Sequence, residues 1–412
     1  MTDRNEFTCP AEQAPIFPVQ PHREPSRETL NMKNTVKLIT ASAALAAVLT
    51  FTFTAAPRAA DAKPAKQPIV QLAILLDTSG SMEGLIEQAK GQLWKIVNEF
   101  IAAKQGGQRP EVQVALYEYG KSSLAQSSGW IRRIQPLTTD LDKISEELFA
   151  LKTDGGDEYC GWVIKDAVSD LPWSPEADVY KAIFIAGNEP FTQGPVNYAD
   201  SCKAAIGKGI IVNTIHCGDS GTGISTKWQD GALLADGKYM VIDQNRAVVH
   251  FEAPQDKEIA ELGVELNRTY LAYGRAGVES AARQSAQDAN AFALAPQGAA
   301  VNRALTKASA NYRNDSWDLV DAVKGAKVEL AEMKDADLPE ELRKLSPDER
   351  KAVIEAKAKQ RAEIQAKISA LNAERSKYVA AQMKAQAGTN TLDSVMVSTI
   401  REQAMKRNFK FE

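Results

Sequence analysis

The sequence predicts an α/β protein with a doubly wound, mostly parallel sheet, followed by an α-helical C-terminal region that contains one long helix. Three observations carry this. Short apolar runs of strand length alternate with helix-spaced segments from residue 68 to about residue 245. The runs are nearly continuous rather than alternating, the pattern of strands covered by helices on both faces. Beyond residue 250 the strand-like runs stop, and Ala-, Gln- and Asn-rich helical sequence takes over.

Each element follows from its own pattern. Residues 68–76 form the first run and end at Asp77. Leu85, Ile86, Ala89, Leu93, Ile96, Val97, Phe100 and Ile101 then fall on one helical stripe. Gly106, Gly107 and Pro110 stop that helix. Val112–Tyr119 is the next strand, and Trp130–Ile134 is a short edge strand. Leu141–Leu151 and Trp162–Leu171 read as helices around which the chain returns to the buried run Ala182–Ala186. Tyr198–Ile206 is helical, Ile210–Ile215 is a strand, Trp228–Leu234 is helical, and Tyr239–Asp243 closes the sheet. This α/β part spans residues 68–245, and residues 250–412 form the helical region. Stretches 256–273 and 279–291 are helical, and Tyr312, Trp317 and Leu319–Val323 form an apolar knot. Ser346 then caps a long helix over about 347–387, with Pro347 at its first position and acids in its first turn. Its apolar seam is thin: Ile364, Ile368, Leu371, Tyr378 and Met383. Packing against the rest of the chain is the first reading of that seam. A coiled coil with a partner or a second copy, hence a homo-oligomer, is the other.

The N-terminus reads as a targeting segment. Residues 1–31 are polar and Pro-rich, a disordered leader or an extension ahead of a start at Met32. Residues 32–62 run from a basic start through the uncharged stretch Leu38–Ala56 to the small-residue site Ala60-Asp61-Ala62, the order of a secretory signal. Cleavage would place the protein in the periplasm or outside the cell with no membrane span left. The alternative is an anchor formed by residues 38–56. A formal net charge of −4 gives no footprint for a nucleic-acid partner. Export implies an oxidising compartment, in which one disulfide among Cys160, Cys202 and Cys217 is expected, with Cys202–Cys217 and a pair involving Cys160 both open.

The chemistry concentrates at Asp77-Thr78-Ser79-Gly80-Ser81. A hard divalent cation takes oxygen ligands and keeps some waters. Asp77 supplies charge and Ser79 and Ser81 supply hydroxyl oxygens, which leaves a coordination position for a carboxylate from a protein partner. The run Leu-Leu-Asp-Thr-Ser-Gly-Ser-Met resembles the first loop of the von Willebrand factor type A (vWA) family, whose metal-ion-dependent adhesion site uses Asp-x-Ser-x-Ser. The resemblance covers roughly residues 68–245. It implies a Rossmann-like fold, a bound Mg²⁺ (or Ca²⁺ or Mn²⁺), and two further ligand loops. The second family loop contributes a Thr after a Gly pair, and here Gly155-Gly156 is followed by Asp157. The third contributes an Asp, and here Gly187 stands in its place, with Asn188 and Glu189 as the oxygen donors beside it. The expected metal ligands are therefore Asp77, Ser79, Ser81, Asp157, Asn188 and Glu189.

The expected function is a metal-dependent adhesion or scaffold role in the cell envelope, without catalysis. The alternatives are a subunit that recruits substrate to an envelope enzyme, and a structural protein with a degenerate metal site. A hydrolase built on His216, Cys217 and Asp219 is a further reading, but neighbouring strand residues point to opposite faces.

Overall fold

A computed structural model describes residues 67–245, 250–385 and 392–411. The leader, the signal segment and the anchor alternative at 38–56 lie outside the described residues. Those residues belong to one compact unit spanning 64–412.

The first part runs β1 (Ile69–Asp77), α1 (Glu83–Asn98), β2 (Ala103–Lys104), β3 (Glu111–Tyr119), β4 (Ile131–Thr138), α2 (Leu141–Ala150), α3 (Cys160–Asp170), β5 (Tyr180–Gly187), α4 (Tyr198–Gly207), β6 (Ile211–Cys217), α5 (Ser220–Ser225), α6 (Trp228–Leu233) and β7 (Tyr239–Ile242). Six of these strands form one sheet in the order β4-β3-β1-β5-β6-β7. All neighbours are parallel except β4, which runs antiparallel to β3. Strand order reverses on either side of β1, so the carboxyl end of β1 opens at a topological switch point, where ligands bind in such sheets.

Alternation along β1 divides the core into two layers. Leu72, Ile74 and Leu76 pack with Leu85, Leu93 and Trp94 of α1. Ala73 and Leu75 face Val163 and Ile164 of α3 and the buried Trp228. Buried apolar area of this kind contributes roughly 25 cal/mol per Å².

The second part comprises α7 (Asp256–Leu266), α8 (Gly274–Ala293), α9 (Ala299–Lys307), α10 (Leu319–Lys324), α11 (Pro347–Ala385), α12 (Leu392–Met405) and β8 (Lys410–Phe411). It wraps one side of the sheet. Asn98 at the end of α1 donates to the Asn302 carbonyl (2.7 Å) and accepts from the Thr306 hydroxyl (2.6 Å). Leu392, Met396 and Ile400 of α12 enter the same core layer as α1. The last strand, β8, pairs with β2 to form a two-stranded ribbon. The final helix and this ribbon have no individual counterpart in the sequence expectations; each ribbon strand is two residues long and pairs with a segment some three hundred residues away in the chain.

The first part of the α11 seam is occupied within the chain, while Tyr378 further along is exposed. Ile364 and Ile368 pack with Ile259 and Leu262 of α7 and Val301 of α9, and Ile354 packs with Leu319 and Leu342. These positions are closed to a second copy, which removes the main support for the coiled-coil reading.

The disulfide expectation is overturned: Cys160, Cys202 and Cys217 are all buried free thiols. Cys217 points into the α1 layer, whereas Cys160 and Cys202 lie in the α3 layer across the sheet. The sheet itself therefore separates Cys202 from Cys217.

Candidate metal centre

Asp77 is the last residue of β1 and is fully buried. Its Oδ1 accepts the Ser79 backbone N–H at 2.7 Å, which folds the loop back over the strand end. Its Oδ2 is buried and has no hydrogen-bond partner among the described residues. The Ser79 and Ser81 hydroxyl oxygens lie 3.3 Å apart, and the Ser81 hydroxyl reaches Asn188 Oδ1 at 3.5 Å. The first loop is pinned to its neighbours by main-chain bonds: Thr78 N–H to the Tyr119 carbonyl (2.8 Å) and Asp154 N–H to the Thr78 carbonyl (3.0 Å).

The electrostatics are unbalanced. Burial pushes the Asp77 carboxyl up to about 7 against the pull of the Ser79 hydrogen bonds, and the Glu189 charge adds to the rise. Burial also pushes Glu158 up to about 8, reinforced by the charges of Asp77 and Glu189. Three carboxyl groups thus repel one another at one strand end. Among the described residues, none of the three forms an ion pair. A buried carboxylate left in this way is costly unless a cation or a proton neutralises it.

Two glycines make the cluster fit. A Cβ on Gly120, whose φ is +81°, would lie 2.7 Å from Glu158 Cγ and 2.9 Å from Asp77 Oδ1. A Cβ on Gly187 would lie 2.6 Å from the Tyr119 hydroxyl and 3.0 Å from Asp77 Oδ2. That hydroxyl, which donates to the Ala186 carbonyl at 2.9 Å, fills the space. The absence of an Asp at position 187 therefore has a steric reason.

The structure redistributes the expected ligands. Asp77, Ser79 and Ser81 come together, Asn188 touches Ser81, and Glu189 acts on Asp77 through its charge. Asp157 is exposed, and its contact is the Tyr159 hydroxyl at 3.5 Å. The second-loop carboxyl that faces Asp77 belongs to Glu158, which is buried. The two acids are adjacent in sequence, and only the tight turn into α3, in which the Cys160 N–H donates to the Glu158 carbonyl (3.1 Å), leaves Glu158 buried and Asp157 exposed.

The donor set is carboxylate, hydroxyl and amide oxygen, which suits a hard cation. Among the described residues no group of three or more His, Cys, Asp and Glu side chains forms a metal-ligating cluster. The orphaned Asp77 Oδ2 nevertheless fits a cation whose remaining ligands are hydroxyls and an amide. His216, Cys217 and Asp219 do not assemble. The His216 ring lies tilted against Trp228 (centroids 5.7 Å apart), Cys217 lies in the opposite layer, and the Asp219 side chain caps α5 by accepting from Thr222 N–H (2.9 Å). Burial lowers the His216 pKa and raises that of the Cys217 thiol, the reverse of an activated pair. Among the described residues no helix is long and apolar enough to cross a membrane.

No protein-family model matches the chain, and no curated protein matches it. Solved structures do. The SpRpn10 VWA domain is similar at 18% identity and a TM-score of 0.33, over 42% of this chain and 88% of that one. The conserved hypothetical protein BatB from Bacteroides thetaiotaomicron is similar at 19% identity and a TM-score of 0.32, over 42% and 90%. An aerotolerance-related membrane protein from Bacteroides fragilis is similar at 17% identity and a TM-score of 0.30, over 42% and 92%. Scores this low carry no assignment; the likeness to vWA domains stands on the Asp77 loop and on the strand order of the sheet.

Proposed function

We propose that this is an exported protein that binds a protein partner through a divalent cation at the carboxyl end of β1. The observation that carries the reading is the buried, unpartnered Asp77 Oδ2 beside two further carboxyl groups with no cationic side chain paired to them. Asp77, Ser79 and Ser81 would hold the ion, with Asn188, Glu158 and Glu189 around it. Mg²⁺ is the first choice, with Ca²⁺ and Mn²⁺ as alternatives. The ion would supply positive charge to a partner's carboxylate. The chain's own residues keep the loop folded and its hydroxyls directed to one point. The role is binding rather than catalysis, and export rests on the signal-type order of residues 32–62.

The test is thermal unfolding of the whole protein after chelation, with Mg²⁺, Ca²⁺ and Mn²⁺ restored one at a time. A cation-dependent rise in melting temperature that disappears in Asp77→Ala is expected. A melting temperature indifferent to both chelator and cations sinks the metal reading and leaves a structural envelope role. Co-purification from the native envelope with and without chelator tests the partner.

A further inference from the structure

At the other end of the sheet, β5 and β6 begin beside a cavity of about 520 Å³. Its walls come from three places: the turn between α3 and β5, the turn between α4 and β6, and Arg407 beyond α12. The volume falls in the range of small-molecule sites, roughly 300–1,000 Å³. Three cationic side chains line it, Lys181, Lys208 and Arg407, and no acidic residue does.

Lys181 is the informative one. Four Lys and Arg residues are buried among the described residues: Lys181, Arg303, Lys307 and Arg361. Arg303, Lys307 and Arg361 each meet a carboxylate within 3 Å. Lys181, 5% exposed, meets only the carbonyls of Ser174 (2.8 Å) and Lys208 (2.7 Å). An ammonium has three donors, so one remains to be used. Lys208 Nζ donates to the Val168 carbonyl (2.8 Å), and Arg407 Nη1 donates to the Ala177 carbonyl (3.1 Å), so both keep spare donors. Among the described residues no carboxylate pairs with any of the three. Burial, and after it the nearby Arg407 charge, lower the Lys181 pKa, the cost of keeping an ammonium out of water beside a like charge. An anion would remove that cost, and Lys and Arg donors are the usual partners of carboxylate and phosphate groups. Trp173 and Pro172 supply an apolar wall. The Trp173 indole N–H is already committed to the Ala167 carbonyl (2.8 Å), which fixes the ring in place.

We propose that this cavity binds a small organic anion, its carboxylate or phosphate group meeting Lys181, Lys208 and Arg407 and its apolar body lying against Trp173. The site is independent of the cation at Asp77, since it sits at the opposite ends of the parallel strands.

Isothermal titration of the whole protein with phenylacetate, phenyl phosphate, inorganic phosphate, benzyl alcohol and a short acidic peptide tests it. Saturable binding of phenylacetate or phenyl phosphate is expected, with Kd below about 1 mM. The tighter of the two identifies the head group, and neutral benzyl alcohol should not bind. Arg407→Gln and Lys208→Gln should each weaken the aryl anion roughly tenfold, the loss of one charge-assisted hydrogen bond. Both variants should keep the melting temperature and any cation response of the parent. If a variant fails to fold, competition in the parent protein between the aryl anion and inorganic phosphate reads the same site. No saturable binding of either aryl anion, unchanged affinity in both variants, absent competition, or binding of the acidic peptide alone would each overturn the proposal.

Discussion

Two clusters of carboxylates in this molecule are treated in opposite ways. Beside α1, Asp142 and Asp288 face Arg303 and Lys307, so two negative groups meet two positive ones. Arg303 also lies 4.7 Å over the Trp94 ring, and Asp142 accepts the Tyr312 hydroxyl at 2.6 Å. At the end of β1, Asp77, Glu158 and Glu189 come together without a cationic side chain paired to them, and one oxygen is left without a partner. The first arrangement is complete in itself and joins the helical region to the sheet. The second is left unbalanced by the chain's own side chains. Charge balance, rather than burial or residue type, distinguishes the two, and it is the ground on which a cation is proposed for the second alone.

The largest effect should come from unbalancing the complete cluster. Arg303→Met leaves Asp142 and Asp288 buried without their shared partner and should cost about 3–5 kcal/mol in urea unfolding. A loss under about 1 kcal/mol would show that the cluster is solvated rather than buried. Next comes balancing the incomplete cluster. At one hundred times its Kd, Mg²⁺ should stabilise the protein by about 2.7 kcal/mol, and Asp77→Ala should remove the gain. The two regions should also respond to pH with opposite sign. Although burial alone would raise it, Arg303 and Lys307 hold Asp288 in the first region below the usual aspartate range, and His250 and Arg375 do the same for Asp256 at a third, separate site. Their stabilisation is present above about pH 4 and is lost as pH falls through their lowered values. Asp77 and Glu158 are raised, to about 7 and about 8, so in chelator the protein should lose stability as pH rises from the ordinary carboxyl range towards those values. Melting profiles with and without Mg²⁺ check this, and a cation that leaves the neutral-pH limb unchanged would break the contrast. The smallest effect belongs to an exposed reference. Ser346 accepts from Glu349 N–H at the start of α11 while Glu349 accepts from Ser346 N–H (2.8 Å), so Ser346→Ala should cost about 1 kcal/mol and be insensitive to cations.

The α/β alternation was legible because both signals are local: apolar runs of strand length and helical stripes. The first loop was legible for the same reason, since Asp77, Ser79 and Ser81 are neighbours in sequence. In the second loop Asp157 carries the resemblance, but it is exposed, whereas its neighbour Glu158 is buried and feels the Asp77 charge, a difference that two adjacent acids do not announce in sequence. Nothing local in the sequence singles out Arg303 and Lys307 from other Lys and Arg residues of the Ala-rich region. They are buried because α9 is enclosed by α1, α7 and α8, which no window of sequence can show.

By itself the sequence determined the six strands of the main sheet, most of the helices, the position of the Asp77 loop after a buried strand, and the start of the long helix at Ser346. Periodicity and capping act within a turn or two of chain, and they survive whatever the rest of the molecule does. Only the tertiary structure decided which thiols can meet, which carboxyl is buried near Asp77, why position 187 is glycine, and that residues 392–411 return to the sheet to place Arg407 beside Lys181. Those outcomes depend on contacts between residues far apart in the chain, where burial and charge are set by what the fold brings alongside.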